Sequence, residues 1–288
     1  MKGRIVSLSC GIYSIECDGV IYNAPARGVF RSKGIKPTVG DCVEISDKSY
    51  VISDVYPRVS YLKRPPIANI DQMIIVESLK EPEFSYLLAF KYLTYANMNG
   101  INAKIVLTKT DKESDKTLIE DIKKTFNLIG IDVYAVSNKT LDGLDEVRKL
   151  FKDHVTCLIG QSGVGKSSLI NSIDKEFERR VGDYSYALGR GKHQTKEVIL
   201  LPYEGGYIAD TPGFSSLELD LYKEDLAQFY PGFAEYYTNC YFSNCLHITE
   251  NKCAVKDLIN SGKYPQIAYD CYLKLSEQSI FKSKRYER

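Results

Sequence analysis

The segment Gly160-Gln-Ser-Gly-Val-Gly-Lys-Ser-Ser168 decides how this chain is read. It fits the pattern G-x-x-x-x-G-K-[ST], and its flanks fit as well. His154-Val-Thr-Cys-Leu-Ile159 before it is a short apolar run, the mark of a buried strand. After it, Leu169, Ile170 and Ile173 recur at helical spacing. Strand, glycine turn and helix start together make a phosphate cradle. Gly163 and Gly165 let the backbone approach an anion closely, and the helix start offers free N–H groups at the positive end of its dipole. Lys166 is placed to reach the β- and γ-phosphates and to act in catalysis, and the Ser167 hydroxyl to ligate Mg²⁺. The expected nucleotide contacts are Gly160, Gln161, Ser162, Gly163, Val164, Gly165, Lys166, Ser167 and Ser168. A glycine-rich turn of no special function shares the local pattern, so the surroundings must decide.

Upstream, strands alternate with helices. Gln72–Val76, Ala103–Leu107 and Asp132–Val136 read as strands of a mostly parallel sheet, with helices over 83–98, 116–128 and 143–151. Leu87, Leu88, Lys91 and Tyr95 fall roughly on one face of the first helix. Thr108-Lys109-Thr110-Asp111 follows directly on a buried strand. In guanine-nucleotide proteins an [N/T]-K-x-D segment occupies such a strand end. The Asp carboxylate accepts two hydrogen bonds from the guanine edge, and the Lys stem lies over the base. Ser137-Asn138-Lys139, after the next strand, is a candidate companion loop for guanine O6.

Downstream, Leu200–Ala209 gives a turn and a strand ending in Asp210-Thr-Pro-Gly213. A D-x-x-G at a strand end supplies an Asp near Mg²⁺ and a Gly N–H aimed at the γ-phosphate. Gly189–Glu197 between them is polar and glycine-rich, suited to a switch loop in which Thr195 completes the Mg²⁺ shell. The Mg²⁺ set is thus Ser167, Thr195 and Asp210. The order is unusual. A GTPase ordinarily runs phosphate loop, switch Thr, DxxG, base motif, whereas here the base motif comes first. A circular permutation explains this, since it requires only nearby termini and a permissive loop.

Residues 1–64 alternate or run apolar in five short stretches between turn residues, which suits a small all-β barrel of the OB-fold kind. Arg27, Arg31, Lys33 and Lys36 cluster there, and Lys63-Arg-Pro-Pro66 reads as a stiff exit. At the other end, Cys240, Cys245, His247 and Cys253 have the spacing C-x4-C-x-H-x5-C, a complete tetrahedral set for structural zinc. With few apolar residues evident around it, this region is expected to fold only with metal bound. The domains expected are 1–64, 65–220 and 221–288, the last mainly helical.

Composition excludes the extremes. The 288 residues are 44% hydrophobic and 26% charged, with a net charge of +1, so any nucleic-acid partner must be met by local patches. The basic tail from Lys282 to Arg288 is one such candidate, or solvated surface. No apolar run approaches the roughly 20 residues of a membrane span, and the start lacks the apolar core of a signal peptide. A cytoplasmic location, no membrane partner and a monomer are expected. A P-loop ATPase or kinase, and a binding module whose nucleotide only times attachment to RNA, are the competing readings.

Taken together, GQSGVGKSS, GKHQTKE, DTPG and CYFSNCLHITENKC, in this order, resemble the circularly permuted, ribosome small-subunit-dependent GTPases of the RsgA type. The resemblance covers essentially the whole chain. It implies an OB-fold that contacts small-subunit ribosomal RNA, GTP hydrolysis stimulated by that subunit, and a role late in its maturation. The switch segment departs from the family's usual G-x-H-T-T-T, with Gln194 and Lys196 flanking Thr195, and Thr108 stands where many members have Asn. Phe214 follows DTPG where many GTPases place a water-orienting Gln, and a phenyl ring cannot orient water. His193 in the switch loop is therefore the candidate for that task, with contact to RNA or nucleotide as the alternative role.

Overall fold

The computed structural model describes residues 1–32, 34–63, 65–113, 116–177, 179, 198–210 and 217–278, with the side chains of Arg31, Ser32 and Asp210 excepted. The chain clusters into two compact units. One comprises Met1–Met73, Asp145–Leu158 and Ser167–Gly213, the other Ile74–Leu144, Ile159–Lys166 and Phe214–Arg288.

In the first unit, strands β1 (Lys2–Ser9), β2 (Ile12–Cys17), β3 (Val20–Pro25), β4 (Cys42–Ile45) and β5 (Ile52–Val55) form an antiparallel sheet in the order β3-β2-β1-β4-β5. Its inner face is Ile5, Val6, Ile15, Ala24, Val43, Ile45 and Ile52, each no more than 1% exposed. A parallel bridge between Ala26 and Ile52 joins the two edges. The sheet is thereby closed on itself, which removes the exposed edges an open sheet would carry. A short helix, α1 (Val29–Ser32), lies in the long β3–β4 connection.

The basic-proline segment is not an exit. Leu62 and Ile67 are fully buried in a second hairpin, β6 (Tyr61–Lys63) with β7 (Pro66–Ala68). Thr38 Oγ1 donates to Pro66 O at 3.3 Å, and the Ala68 N–H donates to Val39 O at 2.8 Å, holding the hairpin on the barrel. A two-stranded ribbon is all edge, so proline costs it no ladder bond.

The α/β sheet has the order β10-β9-β8-β11-β13-β12, built from β8 (Gln72–Ser78), β9 (Asn102–Thr108), β10 (Val133–Ala135), β11 (Val155–Ile159), β12 (Ile199–Tyr203) and β13 (Gly206–Asp210). β10 on β9 and β11 on β13 are parallel, and β12–β13 is an antiparallel hairpin. The sheet is therefore mixed. Its helices include α2 (Tyr86–Met98), α3 (Lys116–Asn127), α4 (Leu144–Lys149) and α5 (Lys166–Ile173).

Helix α2 departs from the one-faced pattern. Its buried residues are Ala89, Phe90, Tyr92, Leu93, Thr94, Tyr95 and Ala96, whereas Leu87, Leu88 and Lys91 are only half-buried. The cause is its position. It packs on β9 and also against two later helices, α6 (Leu226–Phe229) and the C-terminal α8 (Gln266–Gln278). Phe90 stacks on Tyr230 at 5.5 Å, and Asn97 Nδ2 donates to Phe229 O at 2.9 Å.

The C-terminal region has more core than its sequence advertises. Tyr230, Phe233, Tyr264 and Tyr272 are buried, with ring centroids 4.9–5.2 Å apart between neighbours. Each tyrosine hydroxyl finds a carbonyl, Tyr230 to Ala268 at 2.6 Å and Tyr264 to Pro231 at 2.7 Å among them. The expectation of a region poor in apolar packing is corrected here, because tyrosines supply the apolar area once their polar ends are satisfied. A further helix, α7 (Ala254–Asn260), follows the cysteine loop.

Candidate nucleotide site and metal centre

Strand β11 is buried along its whole length and delivers the chain to Gly160. There φ is +153°, and a Cβ would meet the Val76 carbonyl oxygen at 2.1 Å, so only glycine passes. Val164 is fully buried and anchors the loop, and Gly165 turns it into α5 at φ +96°. The Lys166 ammonium donates to Gly160 O and Gln161 O, each at 2.6 Å. Burial pulls its pKa below the ordinary lysine value, while the Glu77 carboxylate acts the other way. Ser162, Gly163, Ser167 and Ser168 are exposed, the two last in the first turn of α5.

The base motif is tied to this loop directly. Thr108, the buried last residue of β9, donates its hydroxyl to Val164 O, with Glu77 O also at 3.3 Å. Lys109 adopts the left-handed conformation at φ +57°, and its Nζ donates to Gly163 O at 2.7 Å and to Glu81 O. Its stem therefore lies across the phosphate loop. Asp111 is exposed in a single 3-10 turn, where the Ser137 hydroxyl donates to its Oδ1 at 2.7 Å. That bond leads the causes that hold the carboxyl below its usual range. Ser137 Oγ in turn accepts the N–H groups of Lys139 and Thr140 at 3.3 and 3.0 Å, fixing the companion loop. Asn138 turns its amide nitrogen toward Gly165, and its Oδ1 is buried without a partner among the described residues. Lys139 is exposed.

Three segments far apart in sequence thus converge. An ionised carboxylate gripped by a hydroxyl can accept paired N–H donors, and adenine presents no such pair. Two residues of this site were not read from the sequence. Glu81 accepts Lys109 through its carbonyl and pairs with Lys112 through its carboxylate. Glu77, next to Val76 in β8, is buried beside the loop; a lone charge ending an apolar run was the available signal. His193, Thr195 and Gly213 lie outside the described residues. Asp210 closes β13, its backbone paired with Ile199.

The second constellation is Cys240, Cys245, His247 and Cys253, whose ligand atoms all lie within 4.8 Å of one another. Cys240 Sγ is 3.4 Å from His247 Nδ1 and 3.7 Å from Cys253 Sγ, and His247 Nδ1 is 3.4 Å from Cys253 Sγ. A tetrahedron of ligands about 2.3 Å from its centre has edges of about 3.8 Å, so the donors fit one metal ion. The loop is held from outside. Tyr269 donates to His247 O and Tyr272 to Leu246 O, both at 2.8 Å. Glu250 accepts the N–H groups of Leu246, Ile248 and Thr249 at 2.8, 2.9 and 3.0 Å. Burial alone would raise the Glu250 pKa, but these donors outweigh it and the net displacement is downward.

Known proteins resemble this chain along its length. Residues 55–220 match the family model described as RsgA GTPase, and residues 2–50 match the RsgA N-terminal domain. A protein of Geobacillus sp. (strain WCH70) named small ribosomal subunit biogenesis GTPase RsgA is 39% identical over 291 residues, covering 99% of each chain. The protein of that name from Bacillus subtilis (strain 168) is 38% identical, again over 99% of both. Among solved structures, YjeQ from Thermotoga maritima superposes with a TM-score of 0.84 at 30% identity, covering 96% of this chain and 97% of that one. YloQ, described as a circularly permuted GTPase, gives a TM-score of 0.80 at 35% identity, covering 96% and 94%.

Proposed function

Because the chain belongs to the family of RsgA GTPases, we propose that it binds the small ribosomal subunit, hydrolyses GTP to GDP and phosphate when stimulated by that subunit, and acts in the subunit's late maturation. The observation that carries the guanine reading is the pair of bonds from Thr108 to Val164 and from Lys109 to Gly163, which fix the base motif against the phosphate loop. These bonds support a reading in which one nucleotide bridges Asp111 and Lys166.

In this reading residues 1–64, with the rest of the β6–β7 hairpin, are the RNA-binding barrel, the chain from there to 220 is the GTPase and 221–288 the metal-binding domain, working as a cytoplasmic monomer. Lys166 holds the phosphates in line. Ser167, Asp210 and Thr195 would hold Mg²⁺ when GTP is bound, and the ion would supply positive charge against that developing on the phosphoryl oxygens. His193 positions the attacking water. Cys240, Cys245, His247 and Cys253 hold one zinc ion; four protein ligands leave no open position, so its role is structural.

Single-turnover hydrolysis, with and without small subunits and with GDP or ADP as competitor, tests the whole reading. Slow hydrolysis alone, acceleration by the subunit and competition by GDP only are expected. Absence of stimulation, or equal competition by ADP, overturns it. His193→Ala is expected to lose the acceleration while keeping GTP affinity, and unchanged stimulated turnover removes His193 from the mechanism.

A further inference from the structure

Glu77 sits one residue before the end of β8, at 1% exposure. Among the described residues neither carboxylate oxygen has a hydrogen-bond partner. Its surroundings are the floor of the phosphate loop. Its neighbour Val76 places a carbonyl against Gly160, and its own carbonyl lies 3.3 Å from the Thr108 hydroxyl that ties β9 to Val164. Two titratable groups interact with it electrostatically, the Lys166 ammonium from the loop and the buried Tyr92 hydroxyl from α2. Burial pushes the Glu77 carboxyl up to about 8, with Lys166 pulling it part of the way back. A carboxylate is costly in such a place without donors, so the protonated form is held until the solution is mildly alkaline.

We propose that Glu77 is a proton-linked positioning residue that acts through Lys166 and sets how tightly the loop holds a nucleotide's phosphates. The inference rests on the reading that this loop binds GDP. When a polyphosphate engages Lys166, the cationic pull on Glu77 is neutralised and negative charge arrives nearby. Both changes favour the protonated carboxyl, so binding is coupled to proton uptake. By reciprocity, affinity falls as pH rises through the range where Glu77 ionises in the free protein. At neutral pH the carboxyl is uncharged and Lys166 acts on the phosphates undiminished. At higher pH Lys166 is shared between phosphate and carboxylate.

Calorimetric titration of the full chain with GDP near pH 8, in two buffers of different ionisation enthalpy, measures the protons taken up. The native chain is expected to take up a fraction of a proton per GDP and to lose up to about tenfold in affinity per pH unit above that point. Glu77→Gln, nearly isosteric and unable to ionise, is expected to lose this uptake and to flatten the pH profile of GDP affinity. Glu77→Met serves the same purpose if the amide variant fails to fold, as thermal melting will report. Equal uptake and equal pH profiles in native and variant overturn the proposal while leaving the nucleotide reading intact. If GDP binds neither protein, the nucleotide reading fails and this one with it.

Discussion

Asp111 keeps its place through the Ser137 hydroxyl, which donates to one of its oxygens at 2.7 Å. That arrangement makes a clean reversal available. In Asp111→Asn the side-chain carbonyl can still accept from Ser137, but the other atom of the group becomes a donor. The variant is expected to lose GDP affinity on the order of a hundredfold, and to gain affinity for xanthosine diphosphate, whose ring offers a carbonyl where guanine has an amine. Competition binding with the two diphosphates checks this, and unchanged GDP affinity would separate Asp111 from base recognition. Residues of this kind are legible in sequence because a strand end followed by a fixed motif leaves little freedom. Thr108 shows the same legibility: a hydroxyl in place of the usual amide can still bridge loops, and it does. Glu77 was only half legible: the acid stands out at the end of Met73-Ile-Ile-Val76, but the run does not tell whether it points to water or into the protein.

At the scale of elements, the cysteine loop and α2 differ in what supports them. The loop of residues 240–253 has exposed Tyr241 and Phe242 and depends on its four ligand atoms and on the Glu250 nest. Helix α8, by contrast, is held by packing on α2 and by the Tyr230 hydroxyl bonded to Ala268 O. Metal removal by a chelator is therefore expected to deprotect the amides of 240–253 while those of 266–278 stay protected, as read by hydrogen exchange. Simultaneous loss in both would mean that the metal, not the aromatic cluster, holds the C-terminal region together. That these four donors come together was readable from spacing alone, since a tetrahedral site needs only four donors in reach. The aromatic cluster was not, because tyrosines scattered from 230 to 272 show no period until the turns that gather them are known.

At the scale of the whole molecule, the motif order disclosed the permutation, and five alternating stretches disclosed the barrel. The Ala26–Ile52 bridge that closes the barrel was beyond reach, because a single parallel rung between a loop and a strand leaves no pattern. Beside it, Arg27 and Lys36 are exposed in the β3–β4 connection. If this face meets ribosomal RNA, the double variant Arg27→Glu/Lys36→Glu should bind small subunits more weakly at low salt. Its salt dependence should be shallower by about one logarithmic slope unit for every phosphate that the variant no longer neutralises. Co-sedimentation across a salt series with a non-hydrolysable GTP analogue measures both, and an unaltered slope would place the RNA-binding face elsewhere. The packing of α2 against Phe229 and its neighbours has another consequence, in time rather than space. Its partner is 132 positions away, so a nascent chain emerging at about 5–20 residues per second leaves that face of the helix uncovered for roughly 7–26 seconds. Any factor that shelters apolar segments at the tunnel exit meets this one well before its own fold can cover it.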